Sequence, residues 1–163
     1  MKRNSSRRLR SPWSTEDGYF DWSKVSMDYI LKQSLSPDIT QFASACQTFG
    51  TLHANGRAEA EVYLVGLFYR FRDDLMRLAS VVEHLPKDLR SVQMLVAELH
   101  RVKSSNSTRT YLTTVIKTLA SYPWPLIEED FERLSRDKTL SVRMRAKFQA
   151  YLDKEYFGDD FWA

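Results

Sequence analysis

The 163 residues are 43% hydrophobic and 13% aromatic, which excludes a disordered chain and allows one domain with a real core. Five Gly and five Pro argue against a turn-rich β fold, one cysteine excludes an intramolecular disulfide framework, and no apolar run approaches the roughly 20 residues of a membrane span. The net charge of +3 is uneven: residues 1–12 hold five basic residues and no acid, 13–152 hold 18 basic and 17 acidic, and 153–163 hold four acids against Lys154. The high pI therefore reports a basic arm, which weakens a nucleic-acid reading based on pI alone.

Residues 1–12 read as a flexible arm, since five like charges without an apolar face cannot pack. No apolar stretch follows them to make a secretory signal, and they lack the apolar face of a transit peptide, so the cytoplasm is the expected compartment. Arg8-Leu9-Arg10-Ser11 in the arm would suit a basic-directed kinase. Trp13, Tyr19, Phe20 and Trp22 are expected to dock on the core, where order begins. Asp21 can N-cap a short helix carrying Trp22, Val25 and Tyr29.

Ser36-Pro37 predicts the next helix start, with Ser36 as cap and Pro37 in the first turn. Ile39, Phe42, Ala43, Cys46 and Phe49 recur at helical spacing up to Asn55-Gly56, which ends the helix. From Arg57 to about Glu83 the pattern is helical, and Val62, Leu64, Val65, Leu67, Phe68 and Phe71 make it apolar nearly all round, as a central helix would be. Arg70–Asp74 and Asp73–Arg77 fall at i,i+4, and a break near Arg72–Asp74 is left open. After Pro86, Asp88 caps a helix bearing Leu89, Val92, Leu95, Val96, Leu99 and Val102. Ser107 is the expected cap of the following helix, with Leu112, Val115, Ile116 and Leu119 as its stripe. Pro123-Trp124-Pro125 opens another, with Glu128, Glu129 and Asp130 in its first turn. Ser141 caps the last, whose stripe is Met144, Phe148, Tyr151 and Leu152.

Short turns at 55–56, 104–107 and 137–140 pair these helices as antiparallel neighbours. Ser107 and Ser141 stand 34 residues apart, as do Arg109 and Arg143, a spacing that stacked hairpins produce. The expected fold is all-α, a stack of antiparallel helical hairpins over residues 13–156. An acidic-aromatic tail, 157–163, follows, with docking or packing onto the last hairpin both open.

Asp137-Lys138-Thr139-Leu140-Ser141-Val142-Arg143-Met144-Arg145-Ala146 resembles the centre of a HEAT repeat, and the resemblance extends best over 126–156. It implies that Asp137 accepts turn amides, Val142 seals the hairpin, Arg143 reaches a neighbouring turn, and Ala146 permits close helix approach. Over 89–121 Arg109 matches, but Lys103 stands where the Asp would be. HEAT-like proteins are chiefly α-solenoid scaffolds that bind proteins or, less often, nucleic acid, so the resemblance implies architecture more than activity.

Catalytic residues are not in view. His53, His84 and His100 are scattered without metal-ligand spacing, Cys46 lies on an apolar stripe where a thiol is inert, and Asp73-Asp74 and Glu128–Asp130 read as ion-pair or helix-start residues. No enzyme, metal or cofactor is expected. The candidate binding residues lie on an acid-poor face: the 29 residues between Glu98 and Glu128 hold no acid but include Arg101, Lys103, Arg109 and Lys117. Arg109, Thr113 and Lys117 share a helical face, and the 34-residue offset would bring Arg143 and Lys147 beside them. This face would take a protein partner with an acidic surface, or a nucleic acid together with the arm; no membrane partner is expected. A purely structural role, with both arginines bonding neighbouring turns and both lysines solvated, stays open.

Overall fold

A computed structural model describes residues 13–154. The predicted arm, 1–12, and tail, 157–163, lie outside the described residues. A short 3-10 turn, Trp22–Lys24, precedes eight helices: α1 Met27–Ser34, α2 Ile39–Ala54, α3 Glu59–Arg70, α4 Leu75–Val82, α5 Leu89–Arg101, α6 Arg109–Ala120, α7 Trp124–Arg136 and α8 Val142–Leu152. Among the described residues, strand pairing is limited to one isolated bridge, Ser14 with Phe20. The all-α expectation holds. No described helix is long and apolar enough to cross a membrane.

Side-chain caps set many of the helix boundaries. Asp88 accepts the Ser91 amide and Ser141 the Met144 amide, as the sequence predicts. Asn55 ends α2, and Gly56 follows at φ +89, where a side chain would be strained. Four boundaries differ from expectation. Helix α2 starts at Ile39, because the Asp38 carboxylate takes the Thr40 and Gln41 amides while Ser36 accepts only the Asp38 amide. Helix α6 starts at Arg109: the Thr108 hydroxyl donates to the Lys103 carbonyl and Ser107 bonds Ser105, so the turn closes on itself and neither residue caps by side chain. Helix α7 opens at Trp124, leaving Glu128–Asp130 beyond its first turn. Asp21 caps only the 3-10 turn, and Ser26 caps α1, so Trp22 and Tyr29 sit on separate elements.

The long helical pattern over 57–83 is broken. Phe71 ends α3 and Asp74 caps α4 through the Arg77 amide. The Asp74 carboxylate also accepts from the Arg77 guanidinium at 2.6 Å, replacing the anticipated i,i+4 pairs, and Arg77 reaches the Pro37 carbonyl at 2.7 Å. Nor is α3 buried all round. Ala60, Leu64, Leu67 and Phe68 face the core, but Val62 is 72% exposed, because α2 and α4 cover only one side of α3. Leu89, the first residue of α5, is 56% exposed. Of the early aromatics, Trp13 and Trp22 pack against the core, while Tyr19 and Phe20 are exposed.

The predicted pairs α2–α3, α5–α6 and α7–α8 are in contact, and helices also pack on the next but one: α1 on α3, α2 on α4, α4 on α6 and α5 on α7. One continuous apolar core runs through them, from Val25 to Tyr151. Among the described residues, side-chain ties to the carbonyls of other elements span 29 to 40 residues. Arg57 donates to the Ser23 carbonyl and Lys87 to the Ser121 carbonyl, both across 34 residues; Tyr122 donates to the Pro86 carbonyl across 36. Each tie lets one inter-helix connection satisfy the carbonyl of another.

Candidate functional site

Arg109, Leu112, Thr113 and Ile116 follow one another at i, i+3, i+4 and i+7 along α6, so they share a face. At the start of α8, Lys147 stands three residues after Met144 and four after Arg143, so these three share a face as well. These two faces line one gap, and α8 packs chiefly on its hairpin partner α7. The gap is a cleft of about 260 Å³. Leu112, Ile116 and Met144 form its apolar lining, all nearly buried. Arg109, Arg143 and Lys147 supply its charge, and Thr113, Ser104, Ser105, Asn106 and Ser141 supply neutral polar groups. No carboxylate is among the lining residues. Arg109 donates to the Asn106 side-chain carbonyl at 3.1 Å, which holds its guanidinium toward the turn end of the cleft.

An adjoining depression continues along α6, lined by Arg109, Thr113 and Lys117 together with Glu83. Five of the seven predicted site residues thus fall on one continuous surface: Arg109, Thr113, Lys117, Arg143 and Lys147. Lys147 is the most constrained of them. Only 8% exposed, it has its pKa pushed down by burial first and then by the charges of Arg143, Lys117 and Arg109.

Arg101 and Lys103 are not part of this surface. Arg101 is turned toward Glu98, a carboxylate with no exposure, donating to both its oxygens at 2.8 and 2.6 Å. Glu98 also accepts from the Tyr111 hydroxyl at 2.9 Å and from Arg72 at 3.3 Å. A buried carboxylate needs such donors, and that demand claims Arg101. Lys103 is exposed in the α5–α6 turn, where its carbonyl accepts the Thr108 hydroxyl.

The HEAT-derived roles divide similarly. Asp137 accepts the Thr139 amide at 2.8 Å, as implied, and adds a bond to His100 Nε2 at 2.8 Å. Val142 is 74% exposed and Ala146 is exposed, so neither seals the hairpin nor sets a close approach; buried Leu140 and Phe148 fill that space. Arg143 lines the cleft.

Sequence reasoning missed the turn residues Ser104, Ser105 and Asn106, and treated Leu112, Ile116 and Met144 as core alone. Their i, i+3, i+4 interleaving with the cations was the available signal. Cys46 is fully buried, and burial pushes its thiol up to about 12, leaving it protonated and unreactive. Among the described residues no group of His, Cys, Asp or Glu could hold a metal ion. Comparison of the chain with protein-family models, curated proteins and solved structures finds no match.

Proposed function

We propose that this protein is a non-enzymatic interaction module, a short stack of HEAT-like hairpins whose α6–α8 cleft receives an acidic segment of a protein partner. The observation that carries the reading is the lining of that cleft: three cations, no carboxylate, and an apolar floor. A peptide with acidic and apolar side chains matches both parts, burying methyl or aromatic surface at about 25 cal/mol per Å² while its carboxylates meet Arg109 and Arg143. The packing of helices on the next but one, α2 on α4, α4 on α6 and α5 on α7, supports the stacked-hairpin part of the reading. A phosphodiester track fits less well, because residues 13–154 hold 19 basic and 18 acidic residues, leaving the cationic surface local rather than a long stripe.

The test uses two immobilised degenerate peptide pools, one of acidic and apolar residues and one of basic and apolar residues, with a labelled oligonucleotide beside them. The acidic pool is expected to retain the full chain at low salt and release it at high salt. The double variant R109E/R143E, which alters two exposed side chains, is expected to lose this binding and keep its circular dichroism spectrum. Retention on the oligonucleotide alone would replace this reading with nucleic-acid binding.

A further inference from the structure

We infer that the chain's own acidic-aromatic tail seats in the α6–α8 cleft, so that a partner's acidic segment must displace it to bind. This gating rests on the reading above; the contact between tail and cleft does not. The cleft joins an apolar floor of Leu112, Ile116 and Met144 to the cations Arg109, Arg143 and Lys147. After Lys154 the chain continues with Glu155, Asp159 and Asp160 among Tyr156, Phe157, Phe161 and Trp162, and without a basic residue. Such a segment meets both parts of the cleft at once, its rings on the floor and its carboxylates on the cations. A guanidinium has five N–H donors and an ammonium three, so these carboxylates add to the bonds that the cations make elsewhere in the chain.

Position singles out the tail as the occupant. Arg143, Met144 and Lys147 belong to α8, the helix from which the tail leaves. Along that helix, at about 1.5 Å per residue, Lys147 and Arg143 lie roughly 10 and 16 Å back from Lys154. Residues 155–163 can span up to roughly 30 Å. Lys154 itself has φ +58, and its amide donates to the Tyr151 carbonyl at 3.2 Å. A left-handed residue just past a helix cap turns the chain off the helix axis, and a lysine takes that conformation at a steric cost that glycine escapes. The turn lets the tail run back toward the start of α8, where the cleft lies. Residues 16–22 are also acidic and aromatic, but Asp21 is bonded to Ser23 and Lys24, and Trp22 packs against the core. That segment is tied to the first elements of the stack.

A short tether gives the tail an effective concentration on the order of millimolar at the cleft. A weak contact therefore fills it, and a partner's apparent affinity falls in proportion to the fraction left open.

The deciding measurement adds a labelled peptide of residues 155–163, and separately the acidic peptide pool, to the full chain and to the full-length tail variant D159N/D160N/F161A/W162A. Binding is read by fluorescence anisotropy and located by amide chemical shifts. Before any peptide is added, the two chains are expected to differ at the amides of Arg109–Ile116 and Ser141–Lys147. Both probes are expected to bind the tail variant at least about tenfold more tightly than the full chain. Adding R109E/R143E to the tail variant is expected to abolish that binding. Equal affinity of the acidic pool for both chains, with no shift at the cleft amides, would overturn the tail contact and leave the acidic-segment reading standing. Cleft shifts on substituting the tail, with neither probe bound by the variant, would keep the contact but overturn the partner reading and the gating with it. No shift and no binding would overturn both. A dimer that the tail substitutions dissolve, seen by analytical ultracentrifugation, would place the tail in a second copy's cleft and overturn the intramolecular contact.

Discussion

His100, at the last turn of α5, bonds Asp137 at the end of α7 with Nε2 to Oδ2 at 2.8 Å, while its Nδ1 meets the Val96 carbonyl. The bond to Asp137 raises the His100 pKa, against burial and the nearby charge of Arg133. Asp137 is held well below the ordinary carboxylate range by His100 first and Thr139 second. The raised histidine stabilises the fold fully below its ordinary pKa near 6.5, and this contribution fades as pH rises through the raised value. The lowered aspartate contributes above its ordinary value near 4 and loses that contribution as pH falls toward the depressed one. Both contributions therefore coincide between about pH 4 and 6.5. Replacing His100 by Gln is expected to lower the urea midpoint most in that window, with the gap from wild type shrinking above about pH 7. A gap that does not change with pH would show that the pair is not ionic. Arg101 teaches a related lesson about single residues: a cation that reads as surface charge is committed to a buried carboxylate thirteen residues before Tyr111.

Two glycines inside helices separate propensity from packing at the scale of the element. Gly66 lies in the middle of α3, exposed, with nothing within 4 Å of the position its Cβ would take. Gly66→Ala is therefore expected to stabilise the protein by about 0.5 to 1 kcal/mol, from helix propensity and a less flexible unfolded chain. Gly50 lies in α2 against the end of α4, where an added Cβ would come within 3.1 Å of the His84 Cβ and 3.4 Å of its carbonyl oxygen. Gly50→Ala gains the same propensity but requires His84, just past α4, to give by a few tenths of an ångström, and a net loss of about 1 kcal/mol is expected. Thermal melts of the two variants should move in opposite directions. The break between α3 and α4 belongs to this scale too. No Gly or Pro marks it; Asp74, capping α4 and pairing with Arg77, makes the new start more favourable than continuing.

The stack as a whole concentrates charge that its composition conceals. Residues 13–154 are nearly neutral, yet α6 and α8 bring Arg109, Lys117, Arg143 and Lys147 onto one surface. Lys147→Met keeps the aliphatic stem of a nearly buried side chain and removes its charge, and is expected to keep the circular dichroism spectrum while binding the acidic peptide pool less well. Unchanged binding would remove Lys147 from the part of the cleft that meets the partner.

Much of this was legible because helix caps and apolar stripes act locally. Asp88, Asn55-Gly56 and Ser141 end or start helices through atoms within three or four residues, so their roles can be read without knowing the fold. The period of 34 residues from Ser107 to Ser141 likewise anticipated that Arg143 and Lys147 would face Arg109 and Thr113. What stayed hidden depends on competition or on distance. Ser36 lost its cap to Asp38 because a carboxylate is the stronger acceptor, and Val62 lies outside because α2 and α4 cover only one side of α3. By itself, the sequence determined the all-α class, the pairing of α2 with α3, α5 with α6 and α7 with α8, and the shortage of acid around α6. Only the tertiary structure decided which cations share the cleft, because Glu98 draws Arg101 inward while α6 and α8 bring Arg109, Arg143 and Lys147 to one gap.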